Sequence, residues 1–124
     1  MKISEIHNKK RPVLSFEIFP PKRGTALENI DETLKILSEL NPDFISVTFG
    51  AGGSSNNNRT IELAKKIKEE YHIEPVVHLT CLTYSKAEID EFSKILLEND
   101  LKNVLALRGD RNPDIPPKED FQHA

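Results

Sequence analysis

The 124-residue sequence has a single cysteine, Cys81, and no long hydrophobic run. One cysteine cannot form a disulfide within the chain. No apolar stretch approaches the ~20 residues of a membrane-spanning helix, and none follows a basic start as in a signal peptide. The sequence therefore predicts a cytoplasmic protein with no membrane partner.

An excess of positive charge is also missing. Seventeen Lys and Arg against twenty Asp and Glu give a net charge of −3 and an isoelectric point near 5.8. Such a chain is poorly suited to neutralise a phosphate backbone, so we expect no nucleic-acid partner. No group of His, Cys and acidic residues has the spacing of metal ligands, so we expect no metal site.

The residues that are present alternate between two periodicities. Short β-forming runs occupy residues 13–19, 44–49, 75–81 and 103–107. Between them, apolar residues at helical spacing predict helices over 25–41, 57–71 and 85–99, the first and third opening with the capping boxes Thr25/Glu28 and Ser85/Glu88. A repeat of about 30 residues that alternates strand and helix indicates parallel βαβ units, hence an α/β protein.

Two architectures fit four such units: a small open doubly wound sheet, or the first half of a (β/α)8 TIM barrel. Each predicted strand has one apolar face and a second face that becomes polar toward its carboxyl end. In an open sheet helices cover both faces, whereas in a barrel the polar face lines the mouth where active sites lie. We therefore favour the half barrel. The residues assigned to its inward face are Ser15, Glu17, Ser46, Thr48, His78, Thr80, Ala106 and Arg108.

Two inward residues are candidates for chemistry on their own merits. Glu17 lies between bulky apolar neighbours in the sequence, where burial would favour the protonated carboxyl that a general acid needs. The alternative is a structural ion pair of Glu17 with Arg108 or Lys22. For His78 the alternatives are a bond to a ligand or an inward carboxylate, and a buried structural role.

Two loops at predicted strand ends are further candidates. Residues 50–55 (GAGGSS) follow a strand and precede a helix, so their backbone N–H groups can approach an anionic or carbonyl-rich ligand. They lack the third glycine of the dinucleotide fingerprint and the lysine of a P-loop, and a simple turn is the alternative. Residues 108–110 (RGD) place a cation and a carboxylate at the predicted barrel mouth.

Four motifs occur in order at the ends of the four predicted strands. They are residues 16–22 (FEIFPPK), 46–54 (SVTFGAGGS), 78–81 (HLTC) and 107–110 (LRGD). Together they closely resemble the 5,10-methylenetetrahydrofolate reductase family. The resemblance implies a (β/α)8 flavoprotein that binds FAD and reduces methylenetetrahydrofolate to 5-methyltetrahydrofolate with NADH or NADPH, in one-carbon and methionine metabolism.

The resemblance also implies roles for individual residues. Glu17 matches the acid that protonates the folate so that its imidazolidine ring opens to an iminium. Asp110 matches an acidic residue beside flavin and folate, so both are expected to be catalytic. The implied cofactor-binding residues are Thr48, Phe49, Ala51, His78, Arg108, Gly109, Asp110 and Ala124, and the implied substrate-binding residues are Glu17, Thr48 and Asp110.

The barrel interpretation makes residues 1–124 the N-terminal part of one FAD-binding domain whose C-terminal half is absent, since a complete barrel needs ~250 residues. We expect a genuine N-terminus, a C-terminus that stops in a loop, and an inactive isolated piece. We expect a homo-oligomer, and either self-association of the piece through unpaired strand edges or loose packing. The functional alternatives are another cofactor- or pterin-binding barrel enzyme, aldolase-like for instance, and a non-catalytic fragment or binding module.

Overall fold

The computed structural model describes residues 1–9, 11–21, 30–49, 54–111 and 113–121. Strands and helices alternate along these ranges, as the sequence periodicity predicts. The strands are β1 (Ser15–Ile18), β2 (Phe44–Val47), β3 (Glu74–Thr80) and β4 (Val104–Leu107); the helices are α1 (Ile3–His7), α2 (Asp31–Glu39), α3 (Ser54–Glu69) and α4 (Lys86–Glu98), followed by a short 3₁₀ turn (Glu119–Phe121).

The four strands form one parallel sheet in the order β1-β2-β3-β4. Their register aligns Glu17 with Ser46 and Val76, and His78 lies two residues beyond Val76 on the same side. We call the side that carries Glu17, Ser46 and His78 the polar face. The α/β class and the parallel sheet of consecutive βα units are therefore confirmed.

The opposite side of the sheet, the helix-covered face, carries the core. Strand residues such as Val47 and Val77 are fully buried there against apolar side chains of α2, α3 and α4. Because all three of these helices contribute to one cluster, the described chain leaves the polar face without a helix layer. This one-sided cover disfavours the doubly wound alternative, in which helices lie on both faces. The core comprises Ile18, Leu34, Ile45, Val47, Ile61, Leu63, Ala64, Ile67, Val77, Leu79, Phe92, Leu96 and Leu101.

The capping box predicted for the third helix is present at the start of α4. The Ser85 side chain accepts a hydrogen bond from the backbone N–H of Glu88, and the Glu88 carboxylate accepts one from the backbone N–H of Ser85 at 2.6 Å. These bonds satisfy donors that the first turn of a helix otherwise leaves unpaired. The capping box at Thr25 and Glu28 lies outside the described residues.

Helix α1 was not predicted, because five residues are too few to show a helical period. Asn103, at the amino end of β4, holds it in place: its side-chain amide donates to the Met1 carbonyl at 2.8 Å and accepts from the Ile3 N–H at 3.0 Å. The Met1 ammonium pairs with Glu74 at 2.8 Å. Helix α1 therefore sits at the amino ends of β3 and β4, away from the end where the sequence motifs lie.

One face assignment is wrong. The register pairs His78 with Leu105 and Thr80 with Leu107, and neighbours in register point to the same side of a parallel sheet. The two leucines therefore share the polar face, and Ala106 lies on the other side. The all-apolar segment of β4 has no alternation of polarity by which the sequence specifies its face. Both leucines remain exposed, at 43% and 37%.

None of the helices within the described ranges is long and apolar enough to cross a membrane.

Candidate functional site

The polar face brings together two of the predicted site residues. Oε2 of Glu17, on β1, lies 3.5 Å from Nε2 of His78, on β3. The contact crosses over β2, where the small side chain of Ser46 turns back to donate to the Phe16 carbonyl at 3.4 Å. A longer residue at position 46 would lie between the two groups, so the spacing of Glu17 and His78 depends on all three strands.

Glu17 is more exposed than its sequence neighbours suggest. Its side chain is 53% exposed, so the expected burial is wrong for this chain. The reason is the pleat of the strand: Phe16 and Ile18 point to the helix-covered face and leave the carboxylate on the polar one. The residue that pairs with the carboxylate in the described chain is His78, whereas the alternative partner Lys22 lies outside the described residues.

His78 combines burial with an unsatisfied polar atom. Its side chain is only 8% exposed, and Nε2 has no hydrogen-bond partner within the part of the chain that the structure describes. The 3.5 Å approach of the Glu17 carboxylate is near hydrogen-bonding distance without reaching it. Buried polar groups of native proteins are rarely left in this state, which marks His78 as a candidate functional residue.

Four predicted site residues line one cavity of about 360 Å³ at the carboxyl ends of β3 and β4. Arg108 and Asp110 are exposed there, so a cation and a carboxylate face the same space. No ligand role was expected of Thr80 or Tyr84, which also line the cavity; their positions at the end of β3 and shortly after it were the available signal. The full lining is Phe49, Thr80, Leu82, Thr83, Tyr84, Leu107, Arg108, Gly109 and Asp110.

Gly109 lies where the chain after β4 closely approaches Thr80. Its φ is +84°, a region that side chains with a Cβ rarely adopt, and a Cβ built there would lie 2.9 Å from the Cβ of Thr80. Glycine therefore lets the chain after β4 pass directly against the end of β3. This close approach fixes where Arg108 and Asp110 leave the sheet.

Phe49 and Thr48 follow β2 and are held by packing and by backbone bonds. The Phe49 ring contacts Tyr84 and Phe92 edge to face, at centroid distances of 5.8 and 5.2 Å. The Thr48 N–H donates to the Ile18 carbonyl at 3.0 Å, and its own carbonyl accepts from the Thr60 hydroxyl at 3.2 Å. Phe49 thus packs toward α4 on the helix-covered side while still bordering the cavity.

Two of the predicted cofactor residues, Ala51 and Ala124, lie outside the described residues, as does the glycine-rich segment 50–53. Among the residues that are described, no three His, Cys, Asp or Glu side chains gather as ligands for a metal ion.

A second, larger cavity of about 540 Å³ lies between α3 and α4, and no pattern in the sequence predicted it. Its lining is mostly apolar and includes the ring of Phe49, which also packs against the core. Lys118 and Glu88 form an ion pair at its edge, at 2.5 Å. The remaining lining residues are Asn58, Ile61, Leu79, Thr83, Tyr84, Ile89, Glu91, Phe92, Ile95 and Ile115.

Sequence comparison with known proteins shows which family this chain resembles. The family model described as methylenetetrahydrofolate reductase matches residues 2–124. A probable methylenetetrahydrofolate reductase (NADH) of Oryza sativa subsp. japonica is 38% identical over 109 residues, which are 88% of this chain and 18% of that protein. The 5,10-methylenetetrahydrofolate reductase of Escherichia coli K12 is 35% identical over 100 residues, which are 81% of this chain and 33% of that protein.

Methylenetetrahydrofolate reductase 2 of Schizosaccharomyces pombe is 41% identical over 97 residues, 77% of this chain and 15% of that protein. The chain thus spans a third or less of each of these relatives. The family model nevertheless covers all four strands, the Glu17–His78 pair and the site residues that follow β4. The chain belongs to the methylenetetrahydrofolate reductase family.

Proposed function

We propose that this chain supplies the first part of the active site of a flavin-dependent reductase that converts 5,10-methylenetetrahydrofolate to 5-methyltetrahydrofolate. The observation that carries the proposal is the contact between Glu17 and His78. It places an acid and a buried imidazole on the polar face of a sheet whose sequence belongs to this family. NADH or NADPH is the electron donor in this proposal; the name of the rice relative specifies NADH for that protein.

The proposed architecture is a (β/α)8 barrel of which this chain forms the first four βα units. Four parallel strands in consecutive order, with helices on one side, are half of such a barrel. Exposed Leu105 and Leu107 support the proposal, because closure would cover this apolar surface of β4. The remainder of the barrel would also enclose Glu17, whose side chain is half exposed here.

Glu17 is the proton donor in the proposed reaction. Its carboxyl group gives a proton to a nitrogen of the folate imidazolidine ring, and the ring opens to an electrophilic iminium. The carboxylate left behind must regain a proton before the next turnover. Asp110 borders the cavity at the carboxyl ends of β3 and β4 and would contact the pterin.

The described residues fit part of an FAD molecule. Arg108 supplies a cation suited to a pyrophosphate, and Gly109 allows close approach of the backbone. A cavity of about 360 Å³ is too small for both ring systems and the pyrophosphate, so the rest of the barrel would complete the site. Bound FAD would supply the chemistry of accepting a hydride from the nicotinamide and passing it on.

The proposal includes the whole protein's setting as well. We place the enzyme in the cytoplasm, as a homo-oligomer, in one-carbon metabolism. The isolated 124-residue chain would be inactive, since much of the folate and nicotinamide surface would come from the second half of the barrel.

Flavin binding tests the proposal against its alternatives. We expect the chain extended to the ~250 residues of a complete barrel to bind FAD in a titration followed by flavin fluorescence, and the 124-residue chain to bind it weakly or not at all. An extended protein that binds folate but no flavin would favour another pterin-binding barrel enzyme. An extended protein that binds neither would favour a non-catalytic binding module.

A further inference from the structure

The pairing of Glu17 with His78 has a chemical asymmetry. Nε2 of His78 is enclosed and has no hydrogen-bond partner within the described ranges, whereas the Glu17 carboxylate is half exposed on a flexible side chain. The 3.5 Å separation is close enough to hydrogen-bonding distance for a small movement of the half-exposed Glu17 side chain to close it. Catalytic hydrogen bonds are often long before substrate binds and shorten in the complex.

The carboxylate also constrains which nitrogen of His78 carries the proton. Neutral imidazole has one N–H donor and one acceptor nitrogen. If Nε2 carried no proton, its lone pair would face the carboxylate oxygens. Two groups of negative partial charge would then lie close together and repel each other. A proton on Nε2 turns the same approach into a charge-assisted hydrogen bond.

We propose that His78 is a positioning residue for Glu17: it keeps its proton on Nε2 and donates it to one oxygen of the Glu17 carboxyl group, holding that group on the polar face with its second oxygen free for the acid proton of the proposed reaction. The rigid imidazole is fixed by its burial on β3, so it restricts a glutamate side chain that is otherwise free to swing into solvent. The significance of this for folate reduction rests on the proposed function. The hydrogen bond itself does not.

Nitrogen NMR of the 124-residue chain, labelled with 15N-histidine and held at a pH where the imidazoles are neutral, tests the proposal directly. We expect Nε2 of His78 to carry the proton. Glu17→Ala removes the acceptor, so the Nδ1–H form should appear. Glu17→Gln keeps an amide oxygen that accepts the same bond, so Nε2–H should persist. His7 and His72 lie elsewhere on the fold and serve as internal controls whose signals should not change.

The complementary measurement follows the carbon–carbon couplings of the Glu17 side chain. His78→Leu removes the donor and should give the averaged couplings of a freely rotating side chain, whereas His78→Gln retains an N–H donor and should restore part of the fixed rotamer. Because Glu17 is half exposed, its alanine variant tests the bond without disturbing the core.

The proposal is overturned if His78 carries its proton on Nδ1 in the parent chain, or if Glu17→Ala leaves the tautomer unchanged. Neither result depends on flavin or folate. A protein that shows the Glu17-dependent tautomer but binds no flavin after extension to a full barrel would support the positioning contact while rejecting the proposed function.

Discussion

Glu88, in the first turn of α4, accepts a hydrogen bond from Lys118, which lies thirty residues later in the chain. The N–H of Lys118 also donates to the Leu82 carbonyl at 2.9 Å. The segment that follows the Arg108–Asp110 motif is therefore fastened back onto the end of β3 and the start of α4. Ile115 and Lys118 of this segment line the larger cavity, and the two bonds set the path of the chain beyond the candidate site.

The Glu88 contact predicts an acid-sensitive attachment. The hydrogen bond from Lys118, together with those from Ser85, lowers the pKa of Glu88 from 4.5 to about 2. Because the folded-state pKa is depressed, this stabilisation is fully present above about pH 4.5 and is lost as the pH falls toward 2. We expect urea midpoints measured across this window to fall more steeply for the parent chain than for Glu88→Gln. The matched control is Glu91→Gln, an exposed glutamate on the same helix; an equal pH dependence in the parent and both variants would contradict the prediction.

We expect removal of the capping hydroxyl of Ser85 to lower the stability of the fold. Ser85→Ala removes the acceptor for the Glu88 N–H and should lower the free energy of unfolding by about 1 kcal/mol. Ser85→Thr keeps the hydroxyl and should lose much less. Chemical denaturation of the three proteins checks this, and an alanine variant as stable as the threonine variant would contradict it.

We expect a substitution of Gly109 by alanine to strain the backbone. Gly109→Ala must place a Cβ against Thr80 at a positive φ, which costs about 1–2 kcal/mol from the backbone alone. We expect a lower free energy of unfolding and faster amide exchange at the carboxyl ends of β3 and β4. Ala106→Gly, on an exposed position of β4, is the comparison for a change of similar size without the close contact. Gly109→Ala with parent stability would show that the chain after β4 does not approach Thr80 as described.

We expect the loss of the Asn103 side chain to detach α1 from the sheet. Asn103→Ala removes the bonds to the Met1 carbonyl and the Ile3 N–H, and deprives Glu74 of its amide donor. Unpaired groups at a part-buried site cost about 1–3 kcal/mol. Hydrogen exchange should therefore accelerate in α1 while α4 keeps its protection. Equal exchange rates in α1 of parent and variant would contradict this role.

The sequence was sufficient for most of the sheet because strand and helix alternate at a regular spacing. The strands lie within a few residues of their predicted positions, and Ser85 and Glu88 marked the start of α4 correctly. The face of β4 was predicted wrongly, since Leu105, Ala106 and Leu107 offer no polar residue to distinguish the two sides. Only pairing with β3 decides it.

The residues of the candidate site could be predicted from the sequence, but their exposure and contacts could be predicted only in part. Glu17, His78, Arg108, Gly109 and Asp110 all lie on the polar face or at the carboxyl end of the sheet, as expected. The exposure of Glu17 was missed, because apolar neighbours in sequence lie on the other side of a strand. The sequence alone did not decide whether His78 approaches Glu17, because that distance depends on the register of three strands.

Half-reactions of the barrel-length protein test most directly the proposal that Glu17 is the acid of a folate reductase. We expect Glu17→Gln to leave anaerobic flavin reduction by NADH or NADPH at the parent rate and to slow flavin reoxidation by methylenetetrahydrofolate by about 10²–10⁴-fold. The exposed Glu62→Gln is the control and should change neither rate. A Glu17→Gln variant that reduces folate as fast as the parent would contradict the account.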